Sequence, residues 1–191
     1  GSDAAGLAQG NVGAGTGCTV GKFLGPDMAM KGGFGWSSAS AGPLVVTAVV
    51  AVNAVGSVTD PATGAPVAGA RVAADSAAQV ADPLSAILAG ASMPLSVLDR
   101  TNTTISCVTT NAKLTKAQAT KVAQMCSDGY ARAIAPSHTT NDGDSVFVLA
   151  TGQVEMPVDL VGVLGQRVLA DAVASGCREA RTAYGFPGAA G

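Results

Sequence analysis

Near the middle of the chain the sequence Thr101-Asn102-Thr103-Thr104-Ile105-Ser106-Cys107-Val108 changes abruptly from hydroxyl residues to strand-forming residues. Threonine, isoleucine and valine favour the pleated, half-buried backbone, so this stretch predicts a β-strand with residues 103, 105 and 107 on one face. The preceding segment, 93–100, has no helical period and contains a proline, which predicts a loop that is easily distorted or cut. A cut ahead of Thr103 would leave a free amine beside its hydroxyl, one known way to activate a threonine nucleophile.

Two ordinary interpretations compete with a nucleophile at this point. Asn102-Thr103-Thr104 fits the N-glycosylation pattern, which occurs often by chance. A threonine-rich beginning is also common in strands that carry no chemistry, so the tripeptide alone does not decide between these meanings.

Length and composition set the class of protein. The chain has 191 residues, of which 48% are apolar, 4% aromatic and 13% charged, and 25 are glycine. This predicts a single domain of closely packed layers, because a disordered chain would be poorer in apolar residues and richer in charge. A net charge of −2 gives no electrostatic reason to expect a nucleic acid or an anionic membrane as partner. No apolar run looks long and clean enough to span a bilayer and no signal peptide opens the sequence, so we expect a cytoplasmic protein without a membrane partner.

The metal-binding residue types are sparse. The four cysteines stand apart, without a Cys-x-x-Cys pair, and His138 is the only histidine. The sequence therefore predicts neither a metal site nor a redox centre, and we expect no cofactor. Cys107 lies in the strand pattern and Cys126 in a helical pattern, where both are expected to be small buried apolar residues.

A glycine-rich run, 10–22, ends in Gly21-Lys22 and invites comparison with a phosphate-binding loop. The spacing does not fit, because Thr16 stands where that motif needs a glycine and Phe23 stands where it needs serine or threonine. The glycines more plausibly let the backbone pass close to another chain segment or to a substrate. By spacing alone, Lys22 is an ordinary surface lysine.

The next clear element is the apolar run Leu44–Val52, which is rich in β-branched residues and predicts a strand buried on both faces. Asn53 follows at its end. An amide at the mouth of a buried strand can donate to a developing oxyanion, and it can equally bond to its own backbone as a cap. Residues 26–43 predict a loop with at most a short strand, and 57–100 an exposed, variable loop with a short helix near 84–88.

After the threonine stretch the pattern predicts a helix, a turn, a strand and a second helix. Thr115 and Gln118 form a capping box ahead of apolar residues at helical spacing, and Pro136 ends that helix. Residues 145–150 then predict a strand. The last helix is expected to run from 157 to 184 with Asp159 as its N-cap.

Asp142 and Asp144 flank a glycine at the start of the strand 145–150. Residues two apart on an extended chain point the same way, and two close carboxylates push one pKa up. Such a pair suits a proton relay to a threonine hydroxyl. A plain Asp-Gly turn is the competing interpretation, and the spacing of a calcium-binding EF-hand loop is absent.

Taken together, these segments resemble the DmpA-like family of self-cleaving aminopeptidases and amidases, which includes the β-aminopeptidases and the nylon-oligomer hydrolase. The resemblance rests on six blocks in the right order, which are 10–17, 20–22, 52–56, 102–105, 114–118, and 138–144 with Phe147. It covers essentially the whole chain but corresponds only to the later part of a family member.

The resemblance implies an α/β fold, a four-layer αββα sandwich shared with the ornithine acetyltransferases. It implies one domain, 1–191, in which self-cleavage between Asn102 and Thr103 separates 1–102, the end of an α-subunit, from 103–191, a β-subunit. The expected partners are a small peptide or amide substrate, the amino-terminal portion of the precursor if supplied separately, and further copies in a homo-oligomer.

The resemblance also implies roles for single residues. Thr103 would be the nucleophile, Asp142 and Asp144 would orient and activate it, Asn53 would stabilise the oxyanion, and Lys22 would match a lysine near the nucleophile in the nylon-hydrolase branch. The expected activity is amide hydrolysis through an acyl-enzyme. Two alternatives are an acyltransferase on the same fold and a non-catalytic remnant of that fold.

Overall fold

The structure is a computed structural model that describes residues 6–76, 80–91 and 102–191. The predicted loop 93–100 and Thr101 lie outside the described residues. The elements in chain order are β1 Thr19–Val20, β2 Met30–Lys31, β3 Gly33–Ala41, β4 Leu44–Val52, β5 Ser57–Thr59, β6 Pro66–Ala68, α1 Pro83–Leu88, β7 Ile105–Ala112, α2 Lys116–Ala133, β8 Ile134–Ala135, β9 Ser145–Val154 and α3 Val158–Arg178.

The main sheet has the strand order β3-β4-β7-β9. β3 and β4 form an antiparallel hairpin, β7 pairs antiparallel with β4, and β9 pairs parallel with β7. A parallel pair needs a long crossover, and α2 lies in the chain between β7 and β9. Because β7 and β9 start at the same edge of the sheet, the residues just ahead of both strands meet there.

Helices α2 and α3 pack on one face of this sheet. Alternate residues of β4 and β7 point toward the helices, and Val46, Val50 and Val108 are buried in one core cluster with Leu169 and Val173 of α3. The expected α/β class is confirmed. The described residues supply one helical layer and one main sheet, which are two layers of an αββα sandwich.

The opposite face of the sheet is open in the described part of the chain. Ile105 is 50% exposed, and Phe147 and Leu149 are each 60% exposed. The strand at Leu44–Val52 has the predicted bounds, but the prediction that both of its faces are buried is wrong for the described residues. Its burial alternates, because only one set of side chains meets the helices.

Strand β3 was predicted only as a loop with a short strand. Its sequence, Gly-Phe-Gly-Trp-Ser-Ser-Ala-Ser-Ala, lacks the β-branched residues that signal a strand. Its glycines serve close packing, since a Cβ atom on Gly35 would lie 2.1 Å from the carbonyl oxygen of Ala172 in α3. The described residues of the segment 57–100 likewise form the short strands β5 and β6 besides the predicted short helix, and Ser57 and Val58 are buried where an exposed loop was expected.

The two long helices lie where they were predicted. The capping box of α2 is present, with the Thr115 hydroxyl accepting the Gln118 amide and the Gln118 side chain accepting the Thr115 amide. Helix α3 begins after Pro157, so Asp159 lies in its first turn and is not its N-cap, and the helix ends at Arg178, before the predicted 184. By length and composition α3 could cross a membrane, contrary to our expectation, but 61% of its apolar window is buried against the rest of the protein.

Candidate active site

Thr103 lies two residues ahead of β7, so the prediction that the strand already includes Thr103 is wrong, because β7 begins only at Ile105. Its backbone N–H donates a 3.0 Å hydrogen bond to the carbonyl oxygen of Asn53, the residue that follows β4. Ile105 and Cys107 share the open face of the sheet, while Thr103 itself is half-buried. The nucleophile candidate therefore lies between the end of one central strand and the beginning of the next.

The Asn102–Thr103 peptide is held from several sides. Asn102 is 1% exposed and forms a parallel bridge with Asp142. Its carbonyl oxygen accepts a 2.9 Å hydrogen bond from the Gly143 amide, and the Thr103 hydroxyl donates to the same oxygen at 2.7 Å. The hydroxyl thus lies beside the carbonyl group that it would have to attack, and a backbone amide lies where negative charge would develop.

Asp142 and Asp144 bracket this peptide through different contacts. Asp142 accepts hydrogen bonds from the Val55 amide at 3.1 Å and from the hydroxyl of Thr139 at 2.7 Å. Asp144 accepts the amide of Thr104 at 3.0 Å. Among the described residues, neither carboxylate hydrogen-bonds to the Thr103 hydroxyl. In the uncut chain Asp144 holds the backbone that follows Thr103, and Asp142 links Thr139 to the segment that follows β4.

Burial raises the pKa of Asp144 above its usual value, and the negative charge of Asp142 adds to that rise. The Thr104 amide and His138 act in the opposite direction. The sequence-based prediction that close carboxylates raise one pKa is therefore right in direction, although burial is the larger cause.

Lys22 and Asn53 form the other side of the site. Lys22 Nζ lies 2.8 Å from Asn53 Oδ1 and 3.4 Å from the Asn53 carbonyl oxygen. Burial lowers the pKa of Lys22 to about 8, and the charges of Cys18 and Asp142 oppose that change. The interpretation of Lys22 as a plain surface lysine is wrong, because the loop that follows β1 turns its side chain inward.

The glycine-rich run explains how Lys22 reaches this position. Gly21 has a φ of 77°, and a Cβ atom there would lie 1.9 Å from the amide nitrogen of Ala70. The Gly21 amide also donates to the carbonyl oxygen of Gly56. The expectation that glycines of this run let chain segments approach closely is confirmed for Gly10, Gly15 and Gly21, but not for Gly13 or Gly17.

Sequence reasoning missed three residues of this neighbourhood. Gly143 was treated only as the glycine of a possible turn, Tyr130 was not singled out, and His138 was noted only as the single histidine and as part of the matching block 138–144. In the structure the Tyr130 hydroxyl lies 2.7 Å from Ser106 Oγ and 3.0 Å from the Ser145 carbonyl oxygen, and His138 Nδ1 lies 3.1 Å from Asp144 Oδ2. Only the sequence proximity of His138 to the paired aspartates could have indicated its contact.

Two buried oxygens next to Thr103, Asn102 Oδ1 and Thr104 Oγ1, have no hydrogen-bond partner among the described residues. The described part of the chain also contains no group of three or more histidine, cysteine or acidic residues arranged to hold a metal ion. The chemical groups gathered here are a hydroxyl, two carboxylates, an amine of lowered pKa and several amides. Such a set is suited to nucleophilic attack on a carbonyl group and to stabilising the resulting oxyanion.

Solved structures give the first comparison. A β-aminopeptidase from Burkholderia sp. aligns with 95% of this chain and 51% of its own, at a TM-score of 0.62 and 20% identity. The L-aminopeptidase D-Ala-esterase/amidase of Ochrobactrum anthropi, described as a variant of the Ntn hydrolase fold, aligns with 95% of this chain and 48% of its own, at a TM-score of 0.61 and 21% identity. At these identities the likeness concerns the fold alone.

Curated sequences give the second comparison. A protein of Mycobacterium tuberculosis H37Rv, named an uncharacterized aminopeptidase, is 38% identical over 203 residues, which cover 95% of this chain and 56% of that protein. The 6-aminohexanoate-oligomer endohydrolase of Paenarthrobacter ureafaciens is 30% identical over 153 residues, which cover 78% of this chain and 41% of that enzyme. The chain spans about half the length of the curated relatives it matches.

The third comparison covers nearly the whole chain. The profile of peptidase family S58 matches residues 2–185. This match includes Lys22, Asn53, the Asn102–Thr103 peptide and both aspartates, and it agrees with the resemblance found in the sequence. The chain belongs to peptidase family S58.

Proposed function

We propose that this chain is the later part of a self-processing amide hydrolase, which cuts itself between Asn102 and Thr103 and then uses Thr103 as its nucleophile. The observation that carries the proposal is the pair of hydrogen bonds on the Asn102 carbonyl oxygen, 2.9 Å from the Gly143 amide and 2.7 Å from the Thr103 hydroxyl. The hydroxyl is close enough to attack the carbonyl group, and the amide can stabilise the negative charge that the attack places on the oxygen. Membership of family S58 and the names of the curated relatives support the same reaction class.

The first stage would be an N-to-O acyl shift. Thr103 Oγ attacks the Asn102 carbonyl carbon, the C–N bond breaks, and the hydroxyl proton passes to the departing nitrogen, which becomes the amine of Thr103. Water then hydrolyses the ester, which gives the Asn102 carboxylate and restores the hydroxyl. The Asn53 carbonyl oxygen, 3.0 Å from Thr103 N, would hold the new amine beside its hydroxyl.

The second stage would repeat this chemistry on a substrate. The Thr103 hydroxyl attacks the substrate amide, the leaving amine takes up a proton, and water releases the acid from the acyl-enzyme. A terminal amine has an ordinary pKa of about 7.7–8.0, so a useful neutral fraction exists at neutral pH. Asp142 and Asp144 would orient that amine and hydroxyl and adjust their pKa values. Lys22 and Asn53 would lie beside the oxyanion.

The open sheet face supports a proposal about assembly. Phe34, Val49, Ile105, Phe147 and Leu149 line an apolar groove of about 390 Å³ on that face. Large exposed apolar patches mark interaction sites, and we propose that the amino-terminal portion of a full-length family member covers this one. The Phe147→Asp variant should then lose binding to a separately supplied amino-terminal portion, as measured by co-purification, while Val163→Asp on the outer face of α3 should retain it.

The central experiment follows the Asn102–Thr103 bond. Intact-mass and N-terminal analysis of the purified protein should find a fragment that begins at Thr103. Thr103→Ala should leave the chain uncut and inactive, whereas Thr103→Ser should still be cut. An uncut wild-type chain under all conditions of pH and incubation time would refute the proposal.

Turnover can be tested with an L-alanine p-nitroanilide and a 6-aminohexanoate oligomer, in the presence of the amino-terminal portion. Release of acid without transfer to added amines supports hydrolysis. Efficient transfer to an amine acceptor would instead support the acyltransferase alternative.

A further inference from the structure

His138 has an unusual backbone conformation. Its backbone φ is 54°, in the left-handed region that non-glycine residues rarely adopt. Holding a residue there costs free energy, which other contacts must offset. The neighbouring contacts of the ring indicate what this backbone conformation achieves.

The imidazole is held at both nitrogens. Nδ1 lies 3.1 Å from Asp144 Oδ2, and Nε2 lies 3.5 Å from the hydroxyl oxygen of Ser127 in α2. The ring also stands 5.9 Å from that of Tyr130, tilted by 56°. With Ser127 as donor to Nε2, the neutral ring carries its proton on Nδ1, which then points at the carboxylate.

Asp144 divides its two oxygens between this ring and the nucleophile strand. Oδ1 accepts the amide of Thr104 at 3.0 Å, and Oδ2 faces His138. The Asp144 side chain is 6% exposed, whereas that of His138 is 41% exposed. The ring therefore lies between solvent and a nearly buried carboxylate, which accepts a hydrogen bond from the amide of the residue after Thr103.

We propose that His138 is a positioning residue for Thr103, because its Nδ1–H fixes the Asp144 carboxylate in the orientation that binds the Thr104 amide. The inference rests on the proposed function of Thr103. The contacts form one path, which runs from the ring through Asp144 to the peptide that follows the nucleophile. Without the ring, Asp144 keeps only one of these two partners and the Thr103 hydroxyl loses its fixed place beside the Asn102 carbonyl.

The electrostatics around Asp144 support a pH readout. On its own turn, Asp142 raises the pKa of Asp144 and His138 lowers it, while burial is the main cause of the overall rise. The Tyr130 phenol faces Asp144 from α2. On the other side of the site, the negative charge of Asp142 raises the pKa of Lys22. Removing His138 should therefore raise the pKa of Asp144 further and move the acid limb of self-cleavage to higher pH.

The test measures the rate of the Asn102–Thr103 cut in freshly translated full chain between pH 5 and pH 9. His138→Gly suits the test, since glycine favours the left-handed backbone and removes only the ring. The acid limb should move up by about one pH unit, as expected when a carboxylate loses a hydrogen-bond donor that favours its charged form. At a fixed pH on that limb the rate should fall about tenfold, which is what such a shift produces there.

Two additions separate positioning from a merely structural role. His138→Asn tolerates the same backbone and can donate from a similar position, so it should recover part of the rate, as should free imidazole added to His138→Gly. Thr140→Ala, an exposed change in the same turn, should leave the profile unchanged. Far-ultraviolet circular dichroism and thermal unfolding verify that each variant is folded.

The possible outcomes distinguish a failure of the inference from a failure of the proposed function. If His138→Gly cuts itself with the wild-type rate and acid limb, the inference is wrong while the proposed function stands. A uniform loss of rate at every pH, without recovery by asparagine or imidazole, would also overturn it. If the wild-type chain itself never yields a Thr103 terminus, the proposed function fails first.

Discussion

Gly143 lies so close to Thr103 that a Cβ atom added to the glycine would come within 2.7 Å of the threonine hydroxyl oxygen. The same glycine donates its amide to the carbonyl oxygen of Asn102. The glycine between the two aspartates thus leaves room for the nucleophile and contacts the bond that we propose is cut. Its backbone φ is not in the left-handed region, so space is the reason for a glycine here.

Gly143→Ala should slow self-cleavage about 100-fold, because a displacement of the reacting hydroxyl by about 1 Å costs that much. The rate of appearance of the Thr103 fragment measures the effect. Gly17→Ala is the matched control, since its Cβ would meet nothing within 4 Å. Equal rates for the two variants would contradict the proposed position of the hydroxyl.

Tyr130→Phe should destabilise the protein by about 1–3 kcal/mol, since it leaves buried oxygens without a partner. The lost contacts are those to Ser106 Oγ at 2.7 Å and to the Ser145 carbonyl oxygen at 3.0 Å. Urea unfolding of a cut-resistant Thr103→Ala background measures the free energy. Tyr184→Phe, at an exposed position, should change it little, and a similar loss in both variants would argue against the buried network.

Lys22 should make a pH-dependent contribution to the free energy of unfolding. Its pKa is about 8 in the folded protein, below the ordinary value of 10.5, so the unfolded chain binds more protons between these values. The free energy of unfolding of the wild type, relative to Lys22→Met, should therefore rise as pH increases from 8 to 10.5. Below pH 8 the cost of burying the charged amine is fully present.

Thermal unfolding at pH 7 and pH 10 measures this difference. Lys121→Met provides the control, because Lys121 is exposed on α2. A difference between wild type and Lys22→Met that stays constant with pH would mean that Lys22 keeps an ordinary pKa.

Gly35→Ala should destabilise the contact between β3 and α3, because its Cβ would lie 2.1 Å from the Ala172 carbonyl oxygen and 2.6 Å from the Gly176 amide nitrogen. Both obstacles are backbone atoms, so the helix itself would have to move. Overpacking of this kind costs about 1–3 kcal/mol. Chemical denaturation measures the loss, and Ser37→Ala on the same strand should be nearly neutral.

The parts of the fold with strong local signals follow from the sequence. The capping box sets the beginning of α2, and the β-branched run sets both ends of β4. β3 was underestimated for a physical reason: its glycines and serines have low strand propensity, and their advantage is close contact with α3, which no local pattern expresses.

The sequence by itself determined the α/β class, the family resemblance and the candidate residues Lys22, Asn53, Thr103, Asp142 and Asp144. How these residues meet depends on the tertiary structure, because the parallel pairing of β7 with β9 brings the turn 138–144 to the segment just ahead of β7, which contains Thr103. The same pairing places the Gly143 amide within hydrogen-bond distance of the Asn102 carbonyl oxygen, and the ring of His138 beside the Asp144 carboxylate. Such contacts depend on backbone direction and burial, which residue types and spacing do not specify.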